Sequence, residues 1–66
     1  MKARAKTKTD GGWIIGDYVQ EFDAIHVIGE GYTPVDWTTL EYRILGYWFD
    51  EDAIESMAQK LVDNRG

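Results

Sequence analysis

The chain holds one serine, Ser56, and one histidine, His26, and has no cysteine. A Ser-His-Asp arrangement needs its serine and histidine in contact on a rigid scaffold. Ser56 falls two residues after Ile54, on the solvent side of an amphipathic segment, and His26 lies in the middle of a short extended run. His26 therefore reads as an ordinary sheet residue rather than a general base. Asp50, Glu51 and Asp52 are adjacent, not spaced as calcium-loop ligands, and no glycine follows to turn a loop. Gly29-Glu30-Gly31 is no phosphate loop, because a third glycine, a lysine and a following helix are all missing. Paired carboxylates working as acid and base need a cleft that raises a pKa, and a domain this small has little room for one. The expectation is no catalytic residue, no metal and no cofactor. What remains is binding. Asp50, Glu51, Asp52 and Glu55, close in sequence to Trp48, form the leading candidate contact surface.

Those acids belong to a segment that should be a helix over residues 50–64. Ile54, Met57, Ala58, Leu61 and Val62 recur at the spacing of one helical face. Asp50 suits the N-cap, with Phe49 before it and Ile54 placed for a hydrophobic staple; Asp52 with Glu55 is an alternative capping box. Glu51, Asp52 and Glu55 complement the positive end of the helix dipole, and Lys60 lies near the negative end. So short a helix is marginal alone in water, so its apolar stripe is expected to cover something.

Extended runs must supply that surface. Lys2, Arg4, Lys6 and Lys8 alternate with Ala3, Ala5 and Thr7, which reads as an edge strand with a solvated basic face. Thr9-Asp10-Gly11-Gly12 is a hairpin turn into a strand over residues 13–22. There Ile14, Tyr18 and Phe22 point one way, Trp13, Ile15 and Val19 the other. Gly16, in its middle, marks a bulge or a close approach, such as a seat for a neighbouring aromatic ring. Shorter strands follow over 24–28 and 35–38, and a last strand over 40–48, in which Leu40, Tyr42, Ile44 and Trp48 share a face. The expected fold is a single α+β domain over residues 1–66: a small antiparallel sheet of four or five strands with one C-terminal helix packed on one face.

Sixty-six residues allow one small core, and nine aromatic residues supply large buried areas to it. No apolar run reaches membrane-spanning length, and no apolar stretch follows the basic N-terminal residues as in a signal peptide. A cytoplasmic protein is the default expectation. The net charge is −5, and it is uneven. Four bases precede Asp10; from Asp10 onward come twelve acids against Arg43, Lys60 and Arg65. An acidic body repels nucleic acid and attracts basic surfaces, and it also keeps a small protein soluble.

Arg4, then Asp10-Gly11-Gly12-Trp13-Ile14-Ile15-Gly16 and Asp17-Tyr18-Val19, resembles the opening of YopX-type small phage proteins. Those open with a basic stretch, a polar-glycine turn, a tryptophan and a glycine shortly after it. Their Val-Asp-x-x-Thr segment has a counterpart in Val35-Asp36-Trp37-Thr38-Thr39. The resemblance covers residues 4–40; the family's downstream motif rich in glycine and aspartate is replaced here by Tyr42 to Trp48 and the helix. It implies a phage or prophage origin and a β-rich fold, and it carries over no catalytic residue.

Together these readings give a phage-type accessory protein whose acidic, aromatic surface binds a host protein with a basic surface. Such a protein could inhibit a nucleic-acid-handling or defence enzyme by imitating phosphate charge. One alternative is a homodimer or structural module closed by an open aromatic sheet face. The other is nucleic-acid binding through Lys2, Arg4, Lys6 and Lys8, which the overall charge opposes.

Overall fold

A computed structural model describes the backbone of residues 1–63 and the side chains of residues 1–61. Five antiparallel strands, β1 (Ala3–Thr7), β2 (Trp13–Val19), β3 (Ala24–Val27), β4 (Gly31–Ile44) and β5 (Tyr47–Asp50), lead into helix α1 (Glu51–Asp63). The fold is thus α+β, with an antiparallel sheet and one C-terminal helix. The strands pair in sequence order, and β1 also pairs with β4. That extra pairing closes β1 to β4 on themselves into a small barrel, with β5 hydrogen-bonded to the end of β4.

Strand β1 is therefore not the edge expected from its lysines. It runs between β2, with Ala5 opposite Ile14, and β4, with Ala3 opposite Tyr42. Its alanines explain why. Ala3 and Ala5 are fully buried, and side chains this small let the barrel walls close around Ile25 and Val35, the two largest fully buried side chains. Leu40 completes the core, with Ile14, Tyr18, Val27 and Tyr42 packed against it. Burying Ile25 and Val35 contributes about 1.5–3 kcal/mol each.

Gly16 marks a close approach, though not of an aromatic ring. A Cβ there would collide with the backbone carbonyl oxygen of His26 and lie 2.8 Å from Ile25 Cγ2. The β1–β2 turn forms as its composition suggests. Thr7 N–H donates to the Gly12 carbonyl (2.9 Å), and Asp10 Oδ1 accepts from Thr7 Oγ1 (2.6 Å) and Gly12 N–H (2.9 Å). These donors hold the Asp10 carboxyl below its ordinary pKa.

Three boundaries differ from the sequence reading. Strand β2 stops at Val19; a 3-10 turn over Gln20–Phe22 and a left-handed Asp23 (φ 46°) redirect the chain, so Phe22 leaves the core face. The pieces expected at 35–38 and 40–48 are largely one bent strand, β4. A tight turn at Leu45-Gly46, both at positive φ (53° and 84°), then separates β4 from β5. Leucine is a poor turn residue, so the alternating pattern reads straight through it. The turn sets Trp48 opposite Arg43 and Phe49 opposite Tyr42, which moves Trp48 off the Tyr42 face.

The helix is capped as expected: Asp50 Oδ1 accepts from Ala53 N–H at 2.8 Å. It is not packed across the sheet. Ala53 and Ile54, in its first turns, are half-buried, but Met57 is 38% exposed and Leu61 70%. The molecule is accordingly elongated, 46 × 22 × 20 Å. Barrel closure explains this, because the apolar face a helix would have covered is already folded inward on itself. The side chain of Val62 and residue Asn64, both assigned to the helix above, lie outside the described residues.

Candidate functional site

The bend in β4 creates the site. Arg4 and Lys6 of β1 are separated by one residue, yet their β4 partners, Glu41 and Asp36, are separated by four. The surplus Trp37–Leu40 segment bows outward and is pinned by its own polar groups. Asp36 Oδ1 accepts from Thr38 N–H (3.0 Å) and Thr38 Oγ1 (2.6 Å). Thr39 Oγ1 donates to the Asp36 carbonyl (2.7 Å) and accepts from Lys6 N–H (2.8 Å), tying the bow to β1. The two Thr38 bonds hold the Asp36 carboxyl below its usual range. This is a local Asx-type turn competing successfully with the β ladder.

Trp37 stands at the crest of the bow, 59% exposed. Beneath it opens a groove of about 270 Å³ between the bow, the Gln20–Asp23 turn and the first turn of α1. Its lining includes Tyr18, Asp23, Trp37, Leu40, Tyr42 and Glu51. A smaller hollow of about 170 Å³ shares Trp37, Leu40 and Glu51 and adds Thr38, Asp50 and Asp52.

The groove's polar groups are fixed by the fold. The left-handed Asp23 accepts from Val35 N–H through its carbonyl (3.0 Å), and its Oδ1 accepts from the Tyr18 hydroxyl (2.7 Å). That hydrogen bond to a carboxylate, reinforced by partial burial, pushes the Tyr18 phenol up to about 12. Burial, and then the nearby Glu51 carboxylate, raise the Tyr42 phenol as well. Tyr18 stays protonated at neutral pH and cannot serve as a base there. None of the groove's lining residues is basic. Aromatic rings beside unneutralised carboxylates make a site for a cation.

The candidate contact residues are only partly brought together. Asp50, Glu51 and Asp52 line the hollow, with Glu51 reaching the groove as well. Glu55, one turn further along α1, is exposed and lines neither. Trp48 is elsewhere: its ring lies 4.5 Å from the Arg4 guanidinium and 5.7 Å from that of Arg43. Arg4 also lies 5.0 Å from the Trp13 ring, and Lys6 5.5 Å from it. Arg4 Nε is in addition paired with Glu41 Oε1 at 2.7 Å. The basic face of β1 is thus interleaved with tryptophans from β2 and β5, which alternation along β1 alone does not reveal.

His26 stacks against Tyr32, with centroids 4.7 Å apart, and Phe22 meets the same ring edge-on at 5.4 Å. Among the described residues no three His, Asp or Glu side chains are grouped to hold a metal ion. No described helix is long and apolar enough to cross a membrane.

Sequence reasoning missed Tyr18, Asp23, Trp37 and Tyr42 as site residues. Asp36 with threonines two and three residues on was the available signal, since that spacing favours a side-chain-bonded turn over continued pairing. No protein-family model, curated protein or solved structure matches the chain. Val35 is fully buried, and Asp36 and Thr39 anchor the bow.

Proposed function

We propose that this is a non-catalytic binding module whose acidic, aromatic groove engages a basic surface on a partner protein. One observation carries the reading. Asp23 and Glu51 meet the rings of Tyr18, Trp37 and Tyr42 in a concavity with no basic lining residue, and Asp50 and Asp52 extend the negative charge next to it. The resemblance to YopX-type phage proteins extends the proposal to an accessory protein acting in the host cytoplasm. There, occupation of a basic groove on a nucleic-acid-handling or defence enzyme would inhibit it. Direct nucleic-acid binding through β1 is less favoured. Arg4 is already engaged by Glu41, Trp13 and Trp48, and the rest of the chain repels phosphate.

The test is the salt dependence of binding to an arginine- and lysine-rich peptide. Affinity should fall steeply between low and physiological salt. It should also drop in a variant carrying D50N, E51Q and D52N, in which the asparagine introduced at the first of these positions still caps the helix. Salt-independent association, or unchanged affinity in that variant, rules out the acidic surface as the contact.

A further inference from the structure

We infer that the groove receives one arginine side chain of the partner, its guanidinium packed against the Trp37, Tyr18 and Tyr42 wall and paired with the carboxylates of Asp23 and Glu51. This rests on the basic-partner reading above and names the group that enters.

Size and shape point to a side chain. At about 270 Å³ the groove falls just below the roughly 300–1,000 Å³ typical of sites that enclose a whole small molecule, and it is partly open to solvent. Charge points to a cation. The positive end of α1 is worth about half a unit charge, while Asp23, Asp50, Glu51 and Asp52 together bring several full negative charges. Among cations, the guanidinium suits this lining best. It is planar, weakly hydrated, stacks on aromatic faces and forks onto carboxylates, whereas an ammonium is a compact, strongly hydrated point charge. Asp23 is prepared for one such hydrogen bond, because the Tyr18 hydroxyl fixes Oδ1 and leaves Oδ2 to accept a guanidinium N–H.

The molecule contains its own example of this chemistry. Arg4 sits 4.5 Å from the Trp48 ring while its Nε contacts Glu41 at 2.7 Å. The groove presents an indole and carboxylates in the same way, adds two phenols, and lacks the arginine.

The test is an NMR titration of the isotope-labelled full chain with three capped peptides of sequence Gly-Ser-X-Ser-Gly, X being arginine, lysine or citrulline. The arginine peptide should shift the Trp37 indole N–H and the Tyr18 and Tyr42 signals. Lysine should bind several-fold more weakly and citrulline about tenfold or more weakly. W37A and E51Q should each weaken arginine binding several-fold while leaving the spectrum of the barrel in place. Equal binding of the citrulline peptide overturns the inference. Arginine-dependent shifts confined to the helix around Glu55 overturn it too, yet leave the basic-partner reading standing. No response to any peptide, together with no salt-sensitive binding of the longer basic peptide, removes both.

Discussion

Two sites on this barrel combine tryptophan with charge, and they differ in whether the rings already hold a cation. On one, Trp13 and Trp48 are separated by Arg4, with Lys6 and Arg43 outside them and Glu41 paired to Arg4. Arg4 is matched by Glu41 and both indoles, Lys6 and Arg43 meet one ring each, and the contacts join β2, β1, β4 and β5. On the other, Trp37 stands over Asp23 and Glu51 with no cation among the described lining residues. The first arrangement holds strands together; the second is the one proposed to receive a partner's side chain. The contrast shows that a basic, aromatic face need not be a binding surface. The informative feature is a ring beside carboxylates without a cation, not the abundance of charge.

Both sites hang on the same closed barrel, so the largest expected effect is one that loosens both. Gly16→Ala would press a methyl group into the His26 carbonyl and the Ile25 side chain. A backbone atom cannot rotate away, so β2 and β3 must separate locally. The expected loss is about 1–3 kcal/mol in urea unfolding. Tryptophan signals from Trp13 and Trp37 should move together. A variant as stable as the parent would mean that β3 gives way freely and that the two sites do not share one rigid frame.

The next effect separates the two sites. Arg4→Gln removes an ion pair and two ring contacts at once. Each ring contact is worth roughly 0.5–1 kcal/mol, and the half-exposed ion pair adds little. A destabilisation of about 1–2 kcal/mol is expected, with the affinity for the arginine peptide unchanged. Trp37→Ala should do the reverse. A mostly exposed side chain at the crest of the bow costs under about 0.5 kcal/mol, so unfolding is nearly unchanged while binding falls. Similar stability losses in the two variants would erase the distinction between a structural and a receptive tryptophan.

Much of this architecture was legible in the chain. Strict alternation around Ala3 and Ala5, the Asp10-Gly11-Gly12 turn, the Ile14 and Tyr18 face and the Asp50 cap all follow from local pattern, and all appear in the fold. What local pattern could not supply was closure. Whether β1 lies at an edge depends on β4 returning to it some thirty residues later, and that pairing is a property of the whole chain. Once β1 is internal, the basic face becomes a set of cross-strand contacts and the helix loses the sheet face expected to receive it. Trp48 was misplaced for a related reason, because the turn at Leu45-Gly46 carries no turn-forming residue before its glycine. The groove was half legible. Glu51 was picked out by its position in an acidic run, but Tyr18, Asp23, Trp37 and Tyr42 meet it only because β4 bows and Asp23 takes a left-handed turn.

The smallest effect probes the groove's own rigidity through the Tyr18–Asp23 bond. The fold raises the Tyr18 phenol from its ordinary 10 to about 12, chiefly because the hydroxyl donates to the Asp23 carboxylate. The neutral phenol is therefore the form the folded state prefers. Its contribution to stability is fully present below pH 10 and is lost as the pH climbs from 10 through about 12. Tyr18 is only half-buried, so solvent screening limits that contribution to a few tenths of a kcal/mol, at most about 1. Tyr18→Phe removes it. The stability difference between parent and variant should be constant from neutral pH to about 10 and then shrink toward zero. Tyr42, also raised, is present in both proteins and cancels from the difference. A carbon label on the Tyr18 ring should report ionisation above its ordinary 10. Parallel stability curves across that window, or a ring that ionises at its ordinary pH, would mean that the hydroxyl does not hold Asp23 in place. Asp23 would then be no more prepared for a guanidinium than any other surface carboxylate.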